Sequence, residues 1–294
     1  MRAELLRNHA RAHAAVLTTD LPRPVEIAVV ACSYDTDFEP VAEQVLSKIN
    51  EITDIFGPTE GPWGAVRWSI WIVDDLPEDA HFADAVRAGF AAAPATLLTE
   101  DRLHCVPLTG GPRQPGGLKG RALLDGMQAA MSWKPDLDAV VYVNLNLKVN
   151  AQHMATGLRA LLLDDVCDAA MGTRAPAHGG AVVGAGTLGR FKSKVYSRLA
   201  RTLLPPLASH LDTNAPMKIF GNAAAHHLVS KARIDQVTMD CEWLMILNQG
   251  PFRVAQFPVA WIQRPGSHPP WGMIGLGVAD LWRIRRRWRQ GDLV

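Results

Sequence analysis

Short apolar runs alternate with stretches of helical spacing along most of this chain, and that alternation limits the folds open to it. The runs at 25–32 (VEIAVVAC), 66–73 (VRWSIWIV), 103–107, 139–143 (AVVYV) and 169–173 (AAMGT) read as strands. Between them, 40–56 places Val41, Val45, Ile49 and Ile52 at helical spacing, and 82–93, 120–133, 152–163, 191–204 and 241–248 read as further helices. A last strand is expected over 252–261 (FRVAQFPVAW), and 271–290 closes the chain as an amphipathic stretch. Strands that alternate with helices predict a layered α/β domain around a mainly parallel sheet. Residues 1–24 read as a short helix and a linker ending in Pro22 and Pro24.

The segment 138–150, DAVVYVNLNLKVN, is where that sheet would meet a ligand. Its apolar half has the β-branched content of a buried parallel strand. Asn144 and Asn146 then alternate with Leu145 and Leu147, so both amides point to one side where the strand ends. Ligands of open α/β sheets bind beyond the carboxyl ends of strands. Spacing alone leaves two readings: a strand delivering polar groups to a site, or a strand running into a polar turn.

Composition narrows the partners. Across 294 residues the net charge is +1, so no global field selects a polyanion, and no nucleic-acid partner is expected. The charge is uneven all the same. Residues 169–211 carry no Asp or Glu, yet Arg174, Arg190, Lys192, Lys194, Arg198 and Arg201 fall there. Cys32, Cys105, Cys167 and Cys241 are far apart, which suits a reducing cytosol and excludes a metal-ligand spacing. Charged residues interrupt the N-terminal segment, so no signal-peptide core is expected. No apolar run approaches the roughly 20 residues that span a bilayer.

Several clusters of residues are candidates for chemistry. Gly184–Gly189 spells G-x-G-x-x-G ahead of a helix, with Asp212 at a distance suited to a ribose contact, but the chain between them makes a poor strand. A flexible glycine loop is the simpler reading. Asp74 and Asp75 end the strand at 66–73, where carboxylates accept hydrogen bonds from a nucleoside or bind a cation; a solvated turn before Pro77 is the alternative. Gly116-Gly117-Leu118-Lys119-Gly120-Arg121 opens a helix, a setting for phosphate. Arg190, Lys194 and Arg198 share a helix face with no acid nearby, which either invites an anion or is a solvated basic face. Asp240 and Glu242 open a helix after Thr238, as complements to the helix dipole or as a general base.

Taken in order, these segments resemble the family 2 glycosyltransferases, in particular the polyprenyl-phosphate mannosyl- and glucosyltransferase branch. Residues 73–79 (VDDLPED) resemble the V-D-D-G-S-x-D nucleotide element, and 118–123 (LKGRAL), continuing to Gly126, resemble x-K-G-x-A-L…G. Gly172-Thr173-Arg174 resembles G-S-R, and Arg190 with Ser193 matches R-x-x-S. Residues 212–220 (DTNAPMKIF) resemble D-T-x-C-G-F-K-x-F, and Asp240-x-Glu242 with 256–261 (QFPVAW) resembles D-x-E…E-V-P-V-x-W. The likeness runs from about residue 25 to 289. The chain departs from the family at its D-x-D, which falls on Asn144-Leu145-Asn146, and at the first-strand P-x-Y-N-E, reduced to 31–35 (ACSYD).

The resemblance implies a GT-A fold, a Rossmann-like sandwich over 25–265 with a C-terminal helical tail over 266–294. It implies inverting transfer of a sugar from a UDP- or GDP-sugar to a lipid-phosphate or small-molecule hydroxyl acceptor. Tyr34, Asp35, Asp74, Asp75 and Lys119 would contact the donor nucleotide, and Asn144, Asn146 and Lys148 would lie near the diphosphate. Arg174, Arg190, Ser193 and Asp212 would bind acceptor or phosphate. Asp240 would be the base, helped or held by Glu242. Mg²⁺ or Mn²⁺ would bind weakly, with Asn146 and Asp75 as the remaining ligands, and no redox cofactor is implied. The protein is expected to be cytoplasmic, and its Trp- and Arg-rich tail reads either as a helix facing the acceptor or the inner face of the membrane, or equally as a tail helix packed on the domain. The alternatives are a nucleotide-binding pseudoenzyme with a degenerate metal motif, or an NAD(P)-binding protein that uses the 184–189 loop.

Overall fold

The computed structural model describes residues 21, 23–32, 40–57, 66–73, 80–94, 102–106, 119–146, 148–184, 186–214, 216–236, 238–263 and 271–293, without the side chains of 80, 81, 188–190, 192 and 271–274. Its centre is a seven-stranded sheet in the order β3-β2-β1-β4-β7-β5-β8. The strands are β1 (Val25–Cys32), β2 (Val66–Val73), β3 (Leu103–Val106), β4 (Ala139–Asn144), β5 (Ala169–Thr173), β7 (Met217–Gly221) and β8 (Val254–Pro258). A separate two-stranded sheet joins β6 (Ala181–Val183) to β9 (Ala260–Ile262). Every pairing is parallel except those of β7, which runs antiparallel between β4 and β5. The expected α/β architecture with a largely parallel sheet is the one observed.

Period-two alternation sends each strand's side chains into one of two cores. Val29, Ala31, Val141, Val143 and Ile219 face the core shared with α1 (Val41–Phe56), α2 (Ala80–Ala91) and α4 (Met154–Leu162). Ala28, Val30, Tyr142 and Phe220 face the opposite core. That core is completed by α3 (Lys119–Trp133), α5 (Thr187–Leu203), α6 (Asn222–Lys231), α7 (Met239–Gln249) and α8 (Trp271–Gln290). β1 and β4, flanked on both sides, are almost entirely buried, as apolar central strands should be.

Three departures from the sequence reading have local causes. The expected strand over 252–261 is two strands: the chain stays on β5 through Pro258, where Val259 N donates to Thr173 O, and then passes to the small sheet, where β9 pairs with β6. β7 and α6 carry weak signals: Lys218 interrupts the apolar run of β7, and α6 (NAAAHHLVSK) buries only Ala224, Ala225 and Leu228. The 184–189 loop follows β6 in the small sheet, not a strand of the main sheet whose crevice a dinucleotide fingerprint serves.

The C-terminal helix is part of the domain. Leu281 and Ile284 are fully buried in the core, each worth about 1.5–3 kcal/mol of burial. Arg285 Nη1 donates to Leu203 O at 2.7 Å, and Trp288 Nε1 to Gln249 Oε1 at 3.2 Å. Among the described residues, no helix is long and apolar enough to cross a membrane.

Candidate active site

The antiparallel register of β4 and β7 sets Tyr142 directly opposite Lys218. Both side chains are buried on the same face, and Lys218 Nζ lies 4.8 Å from the centre of the Tyr142 ring. An ammonium at that depth needs a counter-charge, and Asp240 in the first turn of α7 supplies it, with Oδ1 2.8 Å from Lys218 Nζ. Burial pushes the lysine's pKa down, and the Asp240 charge opposes that shift. Lys119, the first residue of α3, brings a second ammonium to 5.2 Å from the same ring. Burial holds the Tyr142 phenol well above its ordinary pKa, so the hydroxyl stays protonated and donates to Asn144 Oδ1 at 2.5 Å.

Lys119, Asn144 and Asp240, from three distant parts of the sequence, therefore meet around Tyr142 and Lys218. Spacing does not single out those two. For Lys218 the available signal is a lone cation between Met217 and Ile219, since a charge inside an apolar strand requires a buried partner.

The two acids that open α7 have different surroundings. Lys218 is the only ion-pair or hydrogen-bond partner of the Asp240 side chain among the described residues. The Glu242 carboxylate accepts from Arg233 N at 2.9 Å and Ile234 N at 2.8 Å, and it pairs with Arg287 of α8. Glu242 is fully buried and ties two chain segments to its own helix.

Other expected contacts are used differently. Arg174 Nε and Nη2 grip Asp212 at 2.7 and 2.8 Å, and Nη2 also donates to Asn214 O. Asp212 accepts the Arg174 backbone N–H as well. Two residues expected to bind an acceptor thus bind each other, in a bidentate and nearly neutral pair. The close backbone approach at Gly120 is to the protein, not to a phosphate. Gly120 N donates to Asp235 O at 2.7 Å, and a Cβ there would lie 2.5 Å from Ile234 O. Gly120→Ala is accordingly expected to destabilise the fold by about 2–3 kcal/mol, the cost of overpacking against backbone. Urea unfolding of that variant is the check.

Lys148 does not share an extended face with Asn146. The chain bends at Leu145 and Asn146 and turns at Lys148, where Lys148 O accepts from Ile262 N at 2.8 Å. Lys148 is nevertheless buried, as are both asparagines. Ser193 is exposed on α5, and Arg190 lies in the first turn of that helix. Tyr34, Asp35, Asp74, Asp75, Gly116 and Gly117 lie outside the described residues.

No protein-family model matches the chain, and no curated protein matches it. Solved structures do match. Glucosyl-3-phosphoglycerate synthase from Mycobacterium tuberculosis, in complex with Mn²⁺, UDP and glucosyl-3-phosphoglycerate, aligns over 94% of this chain and 81% of its own, at 15% identity and a TM-score of 0.56. The same synthase with phosphoglyceric acid aligns over the same shares at 16% identity and 0.55. Its complex with Mn²⁺, UDP-glucose and glycerol 3-phosphate aligns at 14% identity and 0.52. The fold is that of a GT-A glycosyltransferase.

In this GT-A sheet the described residues do not by themselves fit a divalent cation. No three His, Cys, Asp or Glu side chains among them form a group that could hold one. The asparagines offer neutral oxygens, which hold Mg²⁺ weakly, and Asn144 Oδ1 already accepts from Tyr142.

Proposed function

We propose that the chain transfers a sugar, with inversion, from a nucleotide diphosphosugar to an acceptor hydroxyl, and that Asp240 is the general base. The observation that carries this reading is the placement of Asp240. It is a buried carboxylate with a single cationic partner, on the same face of the sheet as Asn144 and Lys119. A base needs a free lone pair, and Asp240 has one where Glu242 has spent its own. In the transfer, the acceptor oxygen bonds to the anomeric carbon as its proton passes to Asp240. The bond from that carbon to the diphosphate oxygen breaks on the opposite face, and the nucleoside diphosphate leaves. In this reading Lys119, beside the Tyr142 ring, meets the departing negative charge.

UDP-glucose is the first donor to try, and phosphoglycerate or glycerol 3-phosphate the first acceptors, because those ligands accompany the synthase of like fold. A lipid phosphate is the alternative acceptor; it is already anionic and needs no base, and Asp240 would then serve to hold Lys218. A second reading, nucleotide binding without turnover, draws on Asn144 and Asn146 standing where the family has its acids. Calorimetry with UDP, GDP and NAD(P), followed by product formation, separates the readings. Within that test, Asp75→Asn is expected to weaken UDP binding about tenfold with no change in thermal midpoint, since the carboxylate follows the end of β2. Equal affinities would remove Asp75 from the donor site.

A peripheral membrane contact would fall to the side chains that the packing of α8 leaves exposed, Leu276, Trp282, Arg283, Arg286 and Arg289. Flotation with anionic vesicles tests it. The Trp282→Ala, Arg283→Ala and Arg286→Ala combination should abolish binding without unfolding the protein, and undiminished flotation would refute the contact.

A further inference from the structure

We infer that Lys218 is the positioning residue of the site: its ammonium holds the Asp240 carboxylate aimed at the acceptor, and its own place is set by the ring of Tyr142. The inference rests on the reading of Asp240 as the base. It starts from a cost that the fold would otherwise not bear. A lysine in the middle of a strand, with 1% of its side chain exposed, is stable in the core only if its charge is met. Lys218 has that match from two sides, the Asp240 carboxylate at 2.8 Å and the Tyr142 ring at 4.8 Å. The β4–β7 register fixes the distance to the ring, so the ammonium has little freedom to leave the carboxylate.

The converse holds for Asp240. A carboxylate buried at this depth also needs a partner, and without one it is not held towards an acceptor hydroxyl. The groups around it are few. Cys241 on the same helix is pushed up to about 12 by burial and stays a neutral thiol. Tyr142 from β4 and Tyr196 from α5 are held well above their ordinary range and stay neutral phenols. Lys119 from α3 lies 5.2 Å from the same Tyr142 ring, and its charge acts on Lys218. Arg174 grips Asp212, which contributes a negative charge, and feels the Asp240 charge without touching it. Asp280 of α8 bonds Thr238 and Arg283, and burial raises its pKa toward the neutral form. That leaves Lys218 as the cation in direct contact with Asp240 among the described residues.

Lys218→Met, Lys218→Arg, Asp240→Asn and the Lys218→Met, Asp240→Asn pair test the inference by two readouts. The first is the split between kcat and KM for sugar transfer. In Lys218→Met kcat should fall about tenfold or more with KM little changed, as Asp240 loses the group that aims it, and Lys218→Arg should return it toward the parent. The second is urea unfolding at neutral pH, which does not depend on activity. Lys218→Met alone should lower the midpoint strongly, and adding Asp240→Asn should recover part of the loss, because the unpaired buried charge is gone. An unchanged kcat in Lys218→Met, together with a double variant no more stable than the single, would overturn the inference. Parent-like transfer by Asp240→Asn with the unfolding pattern intact would instead overturn the assignment of the base while leaving the ion pair in place.

Discussion

Asp212→Asn is expected to destabilise the protein by about 3 kcal/mol at neutral pH, the lower end of the range for breaking a buried ion pair, because Arg174 keeps some contact with solvent. The amide preserves shape but leaves the guanidinium without its charge partner and costs a bidentate grip. The pH dependence identifies the cause. Burial alone would raise the Asp212 pKa, but the Arg174 charge and the N–H donors of Arg174 and Asn214 outweigh it and hold the carboxyl below its ordinary value. A carboxylate with a depressed folded pKa contributes its stability in full above the unfolded value, and loses it as pH falls through the folded one. The gap between parent and Asp212→Asn should therefore be constant from neutrality down to about pH 5 and close below about pH 4. Urea midpoints across that range are the measurement, and a gap that does not close in acid would contradict an ionic origin.

The second large effect separates two acids that sit two residues apart. Asp240→Asn is expected to reduce kcat by about 10²–10⁴, the usual contribution of a general base, and also to cost about 3 kcal/mol or more, because buried Lys218 loses its counter-charge. Glu242→Gln should share the loss of stability but not the loss of turnover. It weakens two backbone hydrogen bonds and strips Arg287 of its partner, at about 3 kcal/mol for a charge left buried without a counter-ion, while the folded fraction keeps its turnover. Paired measurements of kcat per folded molecule and of unfolding on both variants would show that only Asp240→Asn loses turnover. Equal losses of kcat in both would mean that the pair works as one unit.

These contrasts mark where sequence reasoning reaches and where it stops. The strands that place the site were readable because burial on both faces writes itself as continuous apolar residues: β1, β2 and β5 match their expected limits, and β4 extends one residue further to include Asn144. β7 was not readable, because its stabilising feature is the charge at Lys218 that breaks the run, and the partners that make that charge tolerable lie 22 and 76 residues away at Asp240 and Tyr142. Pattern alone treats Asp240 and Glu242 as equivalent first-turn acids. Arg287, 45 residues on, and the amides of Arg233 and Ile234 mark Glu242, and Lys218 marks Asp240. Arg174 and Asp212, 38 residues apart, looked like two free groups for the same reason. Lys119 stands in a glycine-rich stretch whose described member, Gly120, packs against Ile234 and Asp235.

The central claim is that this scaffold still turns over despite Asn144 and Asn146, with Asp240 as its base. It is tested most directly by following the anomeric proton by NMR when the protein is given UDP-glucose and 3-phosphoglycerate or glycerol 3-phosphate, beside the Asp240→Asn variant. The account predicts a glycoside of inverted configuration relative to the donor, formed by the parent and lost in the variant. Nucleotide bound without product, from this donor or from other UDP- and GDP-sugars, or equal product from parent and Asp240→Asn, would contradict it.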